Sequence, residues 1–145
     1  MSETAQFLHD LIEISRDGTE FYEEAAKVVE DKKLSRVFTD IARAKSALAD
    51  NLSSEIKPER KRSAKHLDLV GEVQQTYTGM RGGVQDINSA NITALEATES
   101  LIQSSLQKVV MDRDNNYVVR VLAKQYVSTC ENLKAELRSR KRLMR

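Results

Sequence analysis

Apolar residues recur along this chain at alternating gaps of three and four, the spacing that gathers them on one side of a helix. In the first stretch Phe7, Leu11, Ile14, Gly18, Phe21, Ala25 and Val28 follow the rule. Leu8, Ser15, Tyr22 and Val29 widen that stripe to the breadth of a bundle core. Ser2 or Thr4 can cap its start, and Glu3 suits the positive end of the helix dipole. The second stretch carries Leu34, Phe38, Ile41, Leu48 and Leu52 on its seam and stops before Pro58. So short a join between two helices predicts an antiparallel hairpin.

The next segment differs in character. Pro58 and the basic run Arg60, Lys61 and Arg62 open it, Leu67, Val70, Val73, Tyr77 and Met80 make it amphipathic, and Gly82 with Gly83 breaks it. Asn88 or Ser89 then caps a third long helix with Ile92, Leu95, Ile102, Leu106 and Val109 on its stripe. Asp112, Asp114 and Asn115 mark the following turn and cap, and Val118, Leu122, Tyr126, Leu133 and Leu137 line the last helix. The pattern predicts helices at about 3–30, 33–56, 65–80, 89–111 and 115–142. Two hairpins joined by about 30 residues suit the long crossover of ferritin-like bundles, although a five-helix bundle accounts for the same amphipathic piece. The expected fold is therefore all-α, one domain over residues 1–145: a ferritin-like four-helix bundle with a long crossover containing a short extra helix.

Composition narrows the classes. Five Gly, one Pro, no Trp and 5% aromatic residues favour helix over sheet. The 23 Lys plus Arg against 22 Asp plus Glu leave no overall charge to steer the chain toward nucleic acid. The single Cys130 excludes a disulfide within the chain. No apolar run approaches the roughly 20 residues that span a bilayer, and the opening residues hold no basic leader. The expectation is a cytoplasmic protein of bacterial origin.

The run from Leu11 to Ala26, with Arg16-Asp17-Gly18 at its centre and Glu20-Phe21-Tyr22-Glu23-Glu24 after it, resembles a bacterial ferritin-like four-helix-bundle family of unknown function, of the Proteobacteria type. Val37 to Ala42 and Leu95 to Glu99 are compatible with the second and third helices of that family. The resemblance implies a ferritin-like fold with no established activity.

A ferritin-like di-metal centre takes one Glu from each of two helices and a Glu-x-x-His pair from each of the other two, because ligands at i and i+3 share a helix face. In register with Tyr22, the first Glu place falls on Ser15, and the second helix offers Lys45 and Leu48. The last helix offers Thr129 and Asn132, or Cys130 and Leu133 with a slip of one. Glu99 alone stands where a ligand would stand, and His9 and His66 lie away from that centre. No metal or other cofactor is expected. A carboxylate on an apolar seam needs a partner, and Lys45 on a facing seam can supply the cation. We expect a buried Lys45–Glu99 pair; the competing expectation turns Ala44 inward and lets Lys45 reach water.

Other chemistry is sparse. Cys130 reads as a small core residue, Gly18 as a point of close helix approach, and Tyr22 and Tyr126 as core residues with one satisfied hydroxyl each. No catalytic constellation or phosphate-cradling loop stands out. Two basic clusters, Lys57, Arg60, Lys61, Arg62 and Lys65 and then Arg138, Arg140, Lys141, Arg142 and Arg145, suit an acidic partner. The second also complements a helix dipole, and neither is interleaved with the aromatics of a nucleic-acid site. The function expected is a non-catalytic structural or interaction module forming a homodimer or higher homo-oligomer. A degenerate metal-binding protein, or a lipid or small-ligand binder with the 65–80 piece as its lid, are the alternatives.

Overall fold

The computed structural model describes residues 3–56 and 67–144. All their regular structure is helical: α1 (Glu3–Val28), α2 (Lys32–Glu55), α3 (Leu67–Met80), a 3-10 turn (Arg81–Asp86), α4 (Ser89–Met111) and α5 (Tyr117–Lys141). No helix among the described residues is long and apolar enough to cross a membrane.

Each junction has a local cause. Between α1 and α2, the Asp31 carboxylate accepts the amides of Lys33 and Leu34 at 2.9 and 3.1 Å, while the Ser35 hydroxyl donates to the carbonyl of Ala26 at 2.6 Å. Donors at the start of one helix and an acceptor at the end of the other are thus satisfied within a three-residue turn. At α4, Asn88 and Asn91 form a reciprocal capping box, each side chain accepting the other's amide. α5 starts later than the expected 115 because Asn116, not the Asp112, Asp114 and Asn115 group, is its cap: the carboxamide accepts the Val119 amide at 2.8 Å. Asn115 instead donates to the carbonyl of Val109 near the end of α4. Gly82 and Gly83 do not end the chain's winding; they lie within the 3-10 turn that prolongs α3.

Cross-helix bonds fix the directions. Arg16 with Asp50 makes α1 and α2 antiparallel, Gln103 with Glu131 and Lys141 with Thr93 do so for α4 and α5, and Arg140 with Asp31 does so for α2 and α5. Gln74 with Asp17 and Arg81 with Glu20 run α3 parallel to α1. α2 and α4 therefore point the same way. α3 packs on both α1 and α4, filling the side of the bundle between them. It is a fifth core helix, because Val70, Val73 and Tyr77 are buried with the seams of the long helices.

The first basic cluster, with Pro58 and His66, lies outside the described residues, as do Ser2 and the side chain of Thr4. Of the second, Arg138, Arg140 and Lys141 are paired within the chain, and Arg145 lies outside the described residues. Arg138 and Lys141 approach Glu96 at 3.5 and 3.3 Å, and Arg140 reaches Asp31 at 2.8 Å, holding the Asp31 carboxyl below its usual range.

Candidate functional site

All five helices send a polar group to one point in the middle of this apolar core. α2 contributes Lys45, which is 0% exposed, and α4 contributes Glu99, which is 2% exposed. Lys45 Nζ lies 2.5 Å from Glu99 Oε1 and donates a second hydrogen bond to the Tyr126 hydroxyl of α5 at 3.0 Å. The other carboxylate oxygen, Glu99 Oε2, accepts from Tyr22 of α1 at 2.8 Å and from Tyr77 of α3 at 2.9 Å. The three tyrosines add three helices to the two of the ion pair, so every helix of the bundle supplies one member.

The reason for the tyrosines is energetic. Taking a carboxylate and an ammonium out of water costs several kcal/mol per ion, and their attraction offsets this only where the remaining lone pairs and protons are also satisfied. Glu99 has both oxygens occupied. The rings add a weaker term, with Lys45 Nζ 5.9 Å from the Tyr22 centroid and 5.5 Å from that of Tyr126, inside the range of cation–π attraction. The same rings belong to the core: Phe21 stacks on Tyr77 at 4.9 Å and meets Tyr22 edge-on at 5.1 Å, and Tyr22 tilts against Phe38 at 5.5 Å.

Proton affinities follow. Burial alone pulls the Lys45 ammonium down, but the Glu99 carboxylate and then the surrounding tyrosines outweigh it, leaving the lysine well above its usual 10.5. Burial and the negative charge of Glu99 push Tyr22 and Tyr77 well above 10.0. Tyr126 also rises through burial, with Lys45 opposing. Burial, reinforced by Glu99, pushes the Cys130 thiol up to about 12, which deprives it of the thiolate a nucleophile needs. Its Sγ sits 3.8 Å from the Glu99 carbonyl.

Gly18 makes the arrangement possible. A Cβ at that position would stand 2.5 Å from Cδ of Lys45, 3.0 Å from its Cε and 3.2 Å from the Tyr77 hydroxyl. The close approach expected of Gly18 is therefore to the stem of the buried lysine. Ala44, the alternative inward residue, is only partly buried.

The remaining places of the expected metal register are filled as follows. Ser15 is buried and its hydroxyl donates to the Leu11 carbonyl at 2.7 Å. Leu48 is core, and on α5 the inward pair is Cys130 and Leu133, whereas Thr129 and Asn132 are exposed. His9 is half-buried near the start of α1. Among the described residues no three His, Cys, Asp or Glu side chains lie close enough together to hold a metal ion. The space beside Glu99, Tyr126 and Cys130 amounts to about 10 Å³, room for one water. Sequence reasoning missed Tyr77, which it treated as one apolar position of the crossover stripe. The available signal was that a buried tyrosine hydroxyl requires a partner.

Residues 3–112 match the family described as Domain of unknown function (DUF2383). The chain belongs to that family. The matched span holds α1 through α4, and hence Gly18, Tyr22, Lys45, Tyr77 and Glu99, while α5 with Tyr126 and Cys130 follows it. Among curated proteins and among solved structures, nothing matches the chain.

Three outcomes are expected. Lys45→Met, which strands the Glu99 carboxylate in the core, lowers unfolding free energy by about 3–5 kcal/mol in denaturant titration, and adding Glu99→Gln restores more than half of the loss. A double variant as unstable as the sum of the singles would mean that the two residues do not act as a pair. Gly18→Ala gains about 1 kcal/mol of helix propensity yet overpacks Lys45 at a cost of about 1–3 kcal/mol, so melting falls instead of rising. Finally, stability falls as pH climbs past about 9 to 10. There the unfolded chain releases protons from Cys130, Tyr22, Tyr77, Tyr126 and Lys45 that the folded chain retains, whereas below that range their contribution is intact. Three of the four tyrosines should therefore develop tyrosinate absorbance only with unfolding; ionisation of all four in the folded protein would contradict the buried network.

Proposed function

We propose that the chain is a single ferritin-like domain in which an organic ion pair stands where relatives of that architecture would hold a di-metal centre, and that it works as a non-catalytic, self-associating module. The observation that carries this reading is the Lys45–Glu99 pair with its tyrosines. An ammonium tethered to α2 supplies the positive charge that a facing carboxylate otherwise takes from a metal, and both carboxylate oxygens are occupied. The bundle directions support the architecture, since two antiparallel hairpins with α2 and α4 parallel are what a long crossover produces. The small space beside Glu99 supports a structural over a catalytic role, because no substrate fits within about 10 Å³.

Self-association is supported by the end of the bundle where α4 turns into α5. Met111, Tyr117 and Val118 flank this one turn with 71%, 76% and 47% of their surfaces exposed. Aromatic and methionine side chains at that exposure are the kind that interfaces bury, and a second copy of the chain offers the same patch across a two-fold axis.

Two measurements test the reading. Protein purified without chelator should carry less than about 0.1 iron or manganese per chain, since a structural or catalytic site would retain its metal. Light scattering at micromolar concentration should give a dimer or larger, and Met111→Glu with Tyr117→Glu should return it to monomer with unchanged helicity. Stoichiometric metal would overturn the ion-pair reading, and a monomeric parent chain would overturn self-association.

A further inference from the structure

Four of the five glycines in this protein lie in or directly after α3. At Gly71, Gly79, Gly82 and Gly83 an added Cβ would meet nothing within 4 Å, and no glycine adopts a positive φ. Neither packing nor backbone conformation requires glycine at these four places, in contrast to Gly18. What glycine does contribute there is a helix less stable than alanine would give.

The rest of α3 points the same way. It is the shortest α-helix of the described residues, 14 residues, and it continues into a six-residue 3-10 turn, whose hydrogen bonds are poorer than those of an α-helix. Among the described side chains, those it buries in the apolar core are Val70, Val73 and Tyr77, with Val84 from the turn. Among the described residues its polar ties to other helices are Gln74 to Asp17 at 2.7 Å, Thr76 with Thr98 at 3.3 Å and Tyr77 to Glu99, with an exposed Arg81–Glu20 approach at 3.7 Å from the following turn. The long helices, by contrast, each bury five or more apolar side chains among the described residues. Beneath α3 lie Phe21 and Tyr22 and, through the Tyr77 hydroxyl, the charge pair itself.

We infer that α3 is a lid, latched by the Tyr77–Glu99 hydrogen bond, that unwinds and opens as a unit while α1, α2, α4 and α5 stay folded, and so gates access to the Lys45–Glu99 pair. When it lifts, Glu99 loses one of its three donors and water gains a path along the cleft between α1 and α4. The carboxylate's other two partners, Lys45 and Tyr22, belong to helices that remain in place. The glycines set how often this happens, because each weakens the lid without loosening the frame. This inference stands on the packing of α3 and not on the proposed self-association, so the outcomes below leave that reading unaffected.

Hydrogen exchange on the full chain tests it. Amides of residues 69–84 should exchange at least about 100-fold faster than those in the middles of α2 and α5, by an opening insensitive to low denaturant. Gly71→Ala with Gly79→Ala should slow that exchange about tenfold or more, and Tyr77→Phe should speed it about fivefold to tenfold by removing the latch. An independent reporter is Thr98→Cys in a Cys130→Ala background, since Thr98 faces α3 at 7% exposure. Its thiol should react with a small disulfide reagent at a rate that follows exchange of α3 and that the paired glycine replacements slow. Protection of residues 69–84 equal to that of α2 and α5 would overturn the lid, as would thiol reaction that occurs only with global unfolding.

Discussion

A lysine and a glutamate paired in the middle of an apolar core constrain nearly everything around them. Neither charge can be left alone there, because an unpaired buried ion costs several kcal/mol, a large part of the 5–15 kcal/mol by which a domain of this size is typically stable. The pair in turn needs donors for the free carboxylate oxygen and a partner for the second lysine proton. Tyr22, Tyr77 and Tyr126 answer those needs, each held by its ring in the same aromatic and aliphatic packing that forms the core. Room for the lysine stem demands a missing side chain on α1, at Gly18. Five residues on five helices and one glycine are thus tied to a single charge-neutral point.

Such a point acts as a register device. Apolar stripes of Leu, Ile and Val pack acceptably at several offsets, whereas a turn's slip of α2 against α4 would leave an ammonium and a carboxylate facing methyl groups. The penalty falls on wrong arrangements more than the reward falls on the right one. A metal centre would perform the same task only when loaded, with stability depending on free metal. A tethered ammonium is always present.

Much of this was legible in the chain. Charged residues at 45 and 99 interrupt otherwise apolar periodicities, and burial as a pair was one of the two arrangements that account for them, the other sending Lys45 to water. Gly18 within a helical stripe likewise signals a close approach. Three things were not legible, each for a physical reason. The α5 register depended on a one-residue choice, since Thr129 with Asn132 and Cys130 with Leu133 both keep an i, i+3 spacing and differ by about 100° around the helix. The basic C-terminal run looked free because its partners, Asp31 and Glu96, are 109 and more than 40 residues away in sequence for Arg140 and Arg138. And Tyr77 looked like one more apolar contact, because periodicity tells which face of α3 is buried but not that α3 sits between α1 and α4, close enough for a hydroxyl to reach Glu99.

That last placement joins two properties that ordinarily separate. Low local stability goes with few buried contacts, whereas a fully satisfied buried polar network rigidifies the elements it joins. Here Tyr77 completes the network from a helix carrying glycines that no contact requires. The consequence is a coupling that runs in both directions. Anything that strengthens the carboxylate's hold on Tyr77 keeps α3 closed, and anything that draws α3 away leaves Glu99 with Lys45 and Tyr22 alone, in a cleft newly open to water. The electrostatics of the core and the position of its least stable helix are therefore one equilibrium, and a group able to replace the Tyr77 hydroxyl at Glu99 would shift it toward the open side.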